Sequence, residues 1–267
     1  MIASLGMYDL PGLSGALDRL WFGIRDSLRL RGVDAPETLD RRAPLWDAWR
    51  SPGLVIGQTC GLPYRTKLHQ QVTLLGSFDF GLADTPRGYY HSVFVVRSGD
   101  QGDIKSFADR RLAINGFDSE SGWAAAQATA SAHGFAFSQF LHTGAHIDSA
   151  EAVLREMADV AAIDAVTWRL LRSHQPGDLA GLKVIARSEP TPGLPLITAA
   201  RANVQSYRAA VRDGLNSLAA QDKADLGIVA FVDLPAEAYL SVPLPPLPSQ
   251  DRPADGSGVL QSGAFPA

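Results

Sequence analysis

The stretch Leu112–Trp123, LAINGFDSESGW, joins a short apolar run to a Ser/Gly-rich turn and then to AAAQATASAH. The first turn of a helix has unpaired N–H groups and partial positive charge. With the hydroxyls of Ser119 and Ser121, and with Gly122 letting a ligand approach the backbone, such a turn can hold an oxyanion without Lys or Arg. The alternative is a plain helix cap by Asp118, Ser119 or Ser121. Glu120, inside the turn, would repel an anion if it pointed inward. It either faces solvent or meets a donor on the ligand.

Three further places combine a buried run with a small polar turn. In LVIGQTCGLP, Gln58, Thr59 and the Gly61 backbone stand at a strand's C-terminal end, where open α/β sheets bind ligands. Cys60 there would need a nearby base and a lowered thiol pKa to act as a nucleophile, and no motif supplies them. A small residue packed beside a site is the simpler reading. In LHTGAHIDS, His146 near a helix start can hydrogen-bond an anion or serve as a surface or capping group. Its spacing from His142 and Asp148 is not that of a metal site. In ADVAAIDAVTWR, Asp164 closes an apolar strand and opens a helix, as an N-cap or as the acceptor of a ligand donor. Tyr8, in GMYD, follows the first strand and either lines a pocket or wedges two layers.

The elements that must position these residues read as α/β. Ile2–Gly6, Leu54–Gly57, Val72–Gly76, Val93–Val96, Leu112–Asn115, Phe137–His142, Val160–Ile163, Leu182–Ala186, Leu194–Thr198 and Ile228–Val232 read as buried strands. Helices are expected over Ser14–Arg31, Ser121–His133, Ile147–Ala158, Ala165–Ser173 and Ala200–Ala220. Their alternation points to parallel βαβ units. Tyr8, Gln58, Ser119–Gly122, His146 and Asp164 all fall at strand-to-helix turns, which in a parallel α/β sheet share one edge. One polar pocket is the economical account. It lacks a nucleophile–base–orienter set, which favours binding over catalysis.

The 267 residues have 46% hydrophobic and 19% charged residues and a net charge of -4. A disordered chain would need more charge, and a general nucleic-acid binder a basic excess. One cysteine excludes an internal disulfide and a cysteine zinc cluster. The first ten residues do not read as a secretory signal, and no apolar run reaches about 18 residues. The expectation is a cytosolic protein, or a mature form without its leader, that does not itself span a membrane. Residues 241–267 are Pro-rich and read as an extended, peripheral tail.

In MYDLP, LVIGQTCGLP, GYYHSVFVVR, RLAINGFDSESGW, TGAHIDSAEAV, DVAAIDAVTW and TPGLPLITA, the chain resembles the phosphate/phosphite/phosphonate substrate-binding proteins of ABC transporters. These stretches run in order from residue 7 to 199. The resemblance implies a type II periplasmic-binding-protein fold: two α/β lobes, two crossovers and a ligand in the cleft. Lobe one would be 1–91 plus 190–267, and lobe two 92–189, with crossovers near His91–Val93 and Glu189–Gly193. By motif, Ser119 and Ser121 match the Ser-rich helix start that holds phosphonate oxygens. His146 matches the histidine after the Thr/Ser-Gly turn, Asp164 the acid at the later strand end, and Tyr8 the aromatic after the first strand. Glu120 stands where the family often has a small hydroxyl residue.

The expected function is binding of a small oxyanion ligand, a phosphonate, phosphate or phosphate ester. Hinge closure would accompany binding, with no cofactor, and an ABC permease would be the partner if the chain is exported to the periplasm. The alternative is a cytosolic enzyme on the same fold, of the cofactor-precursor biosynthesis type. A cytosolic sensor module is a third reading.

Overall fold

The structure is a computed structural model describing residues 1–200 and 202–246. It divides into two compact units. Unit 1 comprises Met1–His91, Asp164–Leu179 and Glu189–Pro243, and unit 2 comprises Ser92–Ile163 and Ala180–Ser188. Residues 247–267 of the Pro-rich stretch lie outside the described residues. Its start, Val242 and Pro243, is tied to unit 1, because the buried Arg65 donates from Nη1 to both carbonyls at 3.1 Å.

Unit 1 is built on a five-stranded sheet in the order Ile2–Ser4, Leu54–Gln58, Pro195–Ala199, Val72–Asp79, Ala230–Val232. The first two strands are parallel. Pro195–Ala199 runs antiparallel to both its neighbours, and Ala230–Val232 antiparallel to Val72–Asp79. Successive residues serve opposite faces: Leu196 joins one apolar cluster and Ile197 the other. The larger cluster takes the apolar stripe of helix Ser14–Leu30, with Leu17, Leu20, Trp21, Ile24 and Leu28 buried. That helix meets helix Val204–Ser217 at a glycine contact. A Cβ on Gly214 would come 2.5 Å from Ile24 Cγ1, and one on Gly23 2.9 Å from Gly214 Cα.

Unit 2 carries a second five-stranded sheet, in the order Gln139–His142, Arg111–Ile114, Val160–Asp164, Ser92–Arg97, Leu182–Arg187. Arg111–Ile114 is parallel to both its neighbours, so Ala113 stands opposite Leu141 on one side and Ala161 on the other. Ser92–Arg97 and Leu182–Arg187 are antiparallel.

The α/β class holds, but purely parallel sheets do not: a returning antiparallel strand sits in each. Phe137–His142 also differs from its expected buried character. Only Gln139–His142 is strand, at the sheet edge, with both end residues exposed. The helix expected over Ala200–Ala220 is two helices, Val204–Ser217 and Ala220–Leu226. Asn203 starts the first, its side chain accepting from Ser206 N. Leu45–Arg50, Gly61–Leu68 and Ala236–Leu240 are helical although their apolar periodicity is too short to announce a helix.

Candidate functional site

In unit 2, strand Arg111–Ile114 leads to Ser119, the N-cap of the following helical segment. Ser119 Oγ accepts from Gly122 N at 3.0 Å. The first turn, Glu120–Ala124, is widened. The N–H groups of Ala124 and Ala125 reach back five residues, to the carbonyls of Ser119 and Glu120. Regular helix then runs over Ala125–Ala132. Ser119, Glu120 and Ser121 are buried at 5%, 3% and 5% exposure.

The hydroxyls form a relay. Ser119 Oγ lies 3.4 Å from Ser121 Oγ, which lies 2.8 Å from His146 Nε2. Ser92 Oγ donates to the Ser121 carbonyl at 2.9 Å. His146 opens helix His146–Leu154. Its loop is pinned by Thr143, whose N–H and Oγ1 both donate to the Ile114 carbonyl, and whose Oγ1 lies 2.7 Å from Ser149 Oγ. Desolvation pushes His146 down to about 4, opposed by the Ala162 backbone. The imidazole is therefore neutral at pH 7. The hydroxyls, the first-turn N–H groups and the neutral ring thus stand at a helix start beside one buried carboxyl group, that of Glu120.

Gly122 has a structural reason of its own. A Cβ there would lie 1.9 Å from Asn115 Oδ1, so a side chain of the protein crosses the face that glycine leaves open.

Unit 1 holds the remaining residues. Tyr8, in the turn Gly6–Tyr8, donates its hydroxyl to Asp164 Oδ2 at 2.8 Å. Asp164 Oδ1 accepts from Val166 N at 2.6 Å and Thr167 N at 3.1 Å, capping helix Ala165–His174. Both side chains are buried. Desolvation raises Asp164 to about 6 against the hydrogen bonds that lower it. Burial, followed by the Asp164 charge, raises Tyr8 well above the usual phenol value. The Tyr8 ring meets Phe80 edge-on at 5.0 Å.

Gln58 and Thr59 end a fully buried strand. Trp49 Nε1 donates to the Gln58 carbonyl and Thr59 N to the Pro195 carbonyl, both at 2.9 Å. Gln58 Nε2 has no hydrogen-bond partner among the described residues although the side chain is 3% exposed. Such a group is costly unless something satisfies it. Cys60 is buried next in sequence.

Within unit 2 the structure brings together Ser119, Glu120, Ser121, Gly122 and His146, and within unit 1 it pairs Tyr8 with Asp164. Sequence reasoning missed Ser92, Asn115, Phe80 and Arg169. Ser92 opens a buried strand and Asn115 ends one, and nothing local distinguishes them from ordinary strand ends. In unit 1 an open cavity of about 450 Å³ lies where helix Ala165–His174 meets Gly227–Val229 and is lined by Phe80, Arg169, Leu170, His174 and Lys223. Among the described residues no cluster of His, Cys, Asp and Glu is placed to hold a metal, and no helix is long and apolar enough to cross a membrane.

Two α/β units, each ending strands in polar helix starts, define a solute-binding protein of the periplasmic-binding-protein fold. Its fold is shared by PhnD1 of Prochlorococcus marinus in complex with methylphosphonate, at TM-score 0.64 and 14% identity, covering 84% of this chain and 90% of that one. A binding protein component of an ABC phosphonate transporter from Pseudomonas aeruginosa gives 0.62 and 18%, covering 85% and 79%. A Candida albicans protein described as having the generic periplasmic binding protein fold gives 0.58 and 13%, covering 85% and 72%. A family model for the phosphonate periplasmic substrate-binding protein of ABC transporters matches residues 74–237, more than half of the chain. The chain belongs to this family, whose members are transporter binding proteins rather than enzymes. No curated protein sequence matches it. The matched stretch contains Ser119, Glu120, Ser121, Gly122, His146 and Asp164; Tyr8, Gln58 and Thr59 precede it.

Proposed function

We propose that the solute is a phosphonate, a phosphate or a phosphate ester, and that Ser119, Ser121, His146 and the first-turn N–H groups of Glu120 and Ser121 hold its oxygens, the Gly122 N–H being taken by the Ser119 cap. The reading is carried by the relay Ser119–Ser121–His146 at a buried helix start, inside the stretch the family model matches. Tyr8, Gln58, Thr59 and Asp164 are the second set of recognition groups, with Glu120 an acceptor for a donor on the ligand. The unsatisfied Gln58 amide supports this, since a ligand acceptor would complete it. By family, the protein works in the periplasm and hands its ligand to an ABC permease.

Ser121 and His146 also have the spacing of a nucleophile and its base. An imidazole that titrates near 4 is a poor base at neutral pH, which favours binding over turnover.

Calorimetry with methylphosphonate and with inorganic phosphate tests the reading. The Ser119→Ala/Ser121→Ala protein should bind the better of the two more weakly, by about 1–3 kcal/mol for each hydrogen bond to charge lost. Unchanged affinity in a folded double variant removes the anion from this turn. Mass spectrometry after long incubation should return the ligand unmodified; a product in excess over protein would establish an enzyme.

A further inference from the structure

The open cavity of unit 1 is lined by none of the residues assigned above to the solute. It lies between the last turns of helices Ala165–His174 and Ala220–Leu226 and residues 227–229. Much of its lining is apolar, with Phe80, Leu170 and Ile228 buried. Val229 has 64% of its surface exposed, yet its backbone is fixed, because its N–H donates to the Asp79 carbonyl at 2.8 Å. No side chain fills the corner at Gly227. That residue has φ +66°, and a Cβ on it would come 2.6 Å from Arg169 Nη2.

Cations line this space without partners of opposite charge. Arg169 Nη1 donates to the Phe80 carbonyl at 2.7 Å and Nη2 to the Gly227 carbonyl at 3.0 Å. Lys223 Nζ donates to the Asn216 carbonyl at 3.4 Å. Among the described residues neither cation reaches a carboxylate, whereas Arg19, Arg31 and Arg212 hold carboxylates at 2.5 to 2.7 Å. The acidic side chain that lines the cavity, Asp225, accepts instead from Gln221 Nε2 at 2.8 Å. Two positive charges therefore face one negative charge, in a chain whose net charge is -4. Basic side chains commonly serve the carbonyls at helix ends. Arg169 does so at Gly227, and His174 Nε2 does so at the Asp225 carbonyl. That role does not account for Lys223, whose long bond leaves the ammonium to turn to another acceptor.

We propose that this cavity binds a small organic anion, a carboxylate head on an apolar body. The head lies against Lys223 and the remaining N–H groups of Arg169, and the body against Phe80, Leu170, Ile228 and Val229. One surplus positive charge suits the single charge of a carboxylate better than the charge of about two on a phosphate. Apolar walls with a few placed polar groups are the usual make-up of a small-molecule pocket. This second site does not depend on which solute Ser119, Ser121 and His146 hold.

The test is amide NMR of the full chain titrated with phenylacetate. Amides within residues 169–174 and 223–229 should shift together and saturate, with a Kd on the order of 1 mM. Phenylethanol, with the same ring and no charge, should bind more weakly. Lys223→Gln should weaken phenylacetate by about fivefold. Val229→Glu, which sets a carboxylate beside the cations, should weaken it further. It changes an exposed side chain, so it reads the site even if Lys223→Gln does not fold. Saturating methylphosphonate or inorganic phosphate should leave the phenylacetate shifts in place. Absence of shifts in both segments at a large excess of phenylacetate overturns the inference. So does equal binding of phenylethanol, wild-type affinity in the folded variants, or displacement by methylphosphonate or phosphate. If those two anions fail to bind at all while phenylacetate binds as described, the solute reading falls and the second site stands.

Discussion

The two clusters solve the same local problem with different chemistry. Each caps a helical segment that follows a strand, and each must satisfy first-turn N–H groups. Ser119 does so with a neutral hydroxyl that takes one N–H, leaving Ser121 and His146 to continue a chain of neutral groups. Asp164 does so with a carboxylate that takes two N–H groups and the Tyr8 hydroxyl. Desolvation acts on both but in opposite directions, because it penalises whichever form is charged. It raises the acid to about 6 and lowers the imidazole to about 4. The difference teaches that a hydroxyl cap leaves neutral groups beside it to continue a chain, whereas the aspartate is committed to internal bonds.

The sharpest way to break this contrast is Asp164→Ala. It removes a cap and strands the buried Tyr8 hydroxyl, so about 3 kcal/mol of stability should disappear. Asp164→Asn, which keeps an oxygen for the cap, should recover part of it. Urea unfolding reads both. Equal stability of Asp164→Ala and wild type would mean the pair does not contribute to the fold.

Acid titration should separate the clusters next. His146 is depressed in the folded state, so its contribution is present above about 6.5 and is lost as pH falls towards 4, by up to about 3 kcal/mol. Asp164 is raised, so its contribution is fully present below the ordinary carboxylate value of 3.8 and is lost as pH rises through about 6. Over the shared window the two oppose each other. His146→Gln should therefore unmask a protein whose stability rises as pH falls from 6 to 4, while Asp164→Asn should fall more steeply than wild type in that range. Identical pH profiles for the two variants would erase the distinction.

The smallest effect on the fold should come from Gln58→Leu. Its amide nitrogen is buried without a partner, so an apolar replacement of similar size should leave stability within about 1 kcal/mol or raise it. Affinity for methylphosphonate or phosphate should drop nonetheless. A large loss of stability would mean that the amide serves the core.

The sequence carried these clusters unevenly. Ser119, Ser121, His146 and Asp164 were readable because each sits where a run of apolar residues gives way to a small polar turn, a change that shows in local order alone. The parts that complete them were not. Ser92 reaches a carbonyl 29 positions away, and Arg169 reaches carbonyls 89 and 58 positions away, through contacts set by tertiary packing. Gly122 was readable as a glycine at a helix start, but Asn115 lying across it was not. The same limit holds for the fold. Leu54–Gln58 and Pro195–Ala199 both read as strands, yet nothing within either segment says that the second returns antiparallel beside the first. The merged helix over Ala200–Ala220 failed for the converse reason, since Asn203, Leu218 and Ala219 interrupt it without disturbing the apolar pattern.

The place of Pro195–Ala199 has a consequence for how the protein is made. This strand lies in the middle of the unit 1 sheet, between Leu54–Gln58 and Val72–Asp79. As synthesis proceeds from the N-terminus, those two strands emerge long before the one that joins them. A nascent chain that has completed Ser92–Ile163 holds most of unit 2's sheet, while the two unit 1 strands still present unpaired edges to whatever is nearby. Closure across so long a separation is intrinsically slow. The interval before residue 199 leaves the ribosome is thus the one in which a holdase would matter most, and a ribosome stalled within it would leave unit 1 without its central strand.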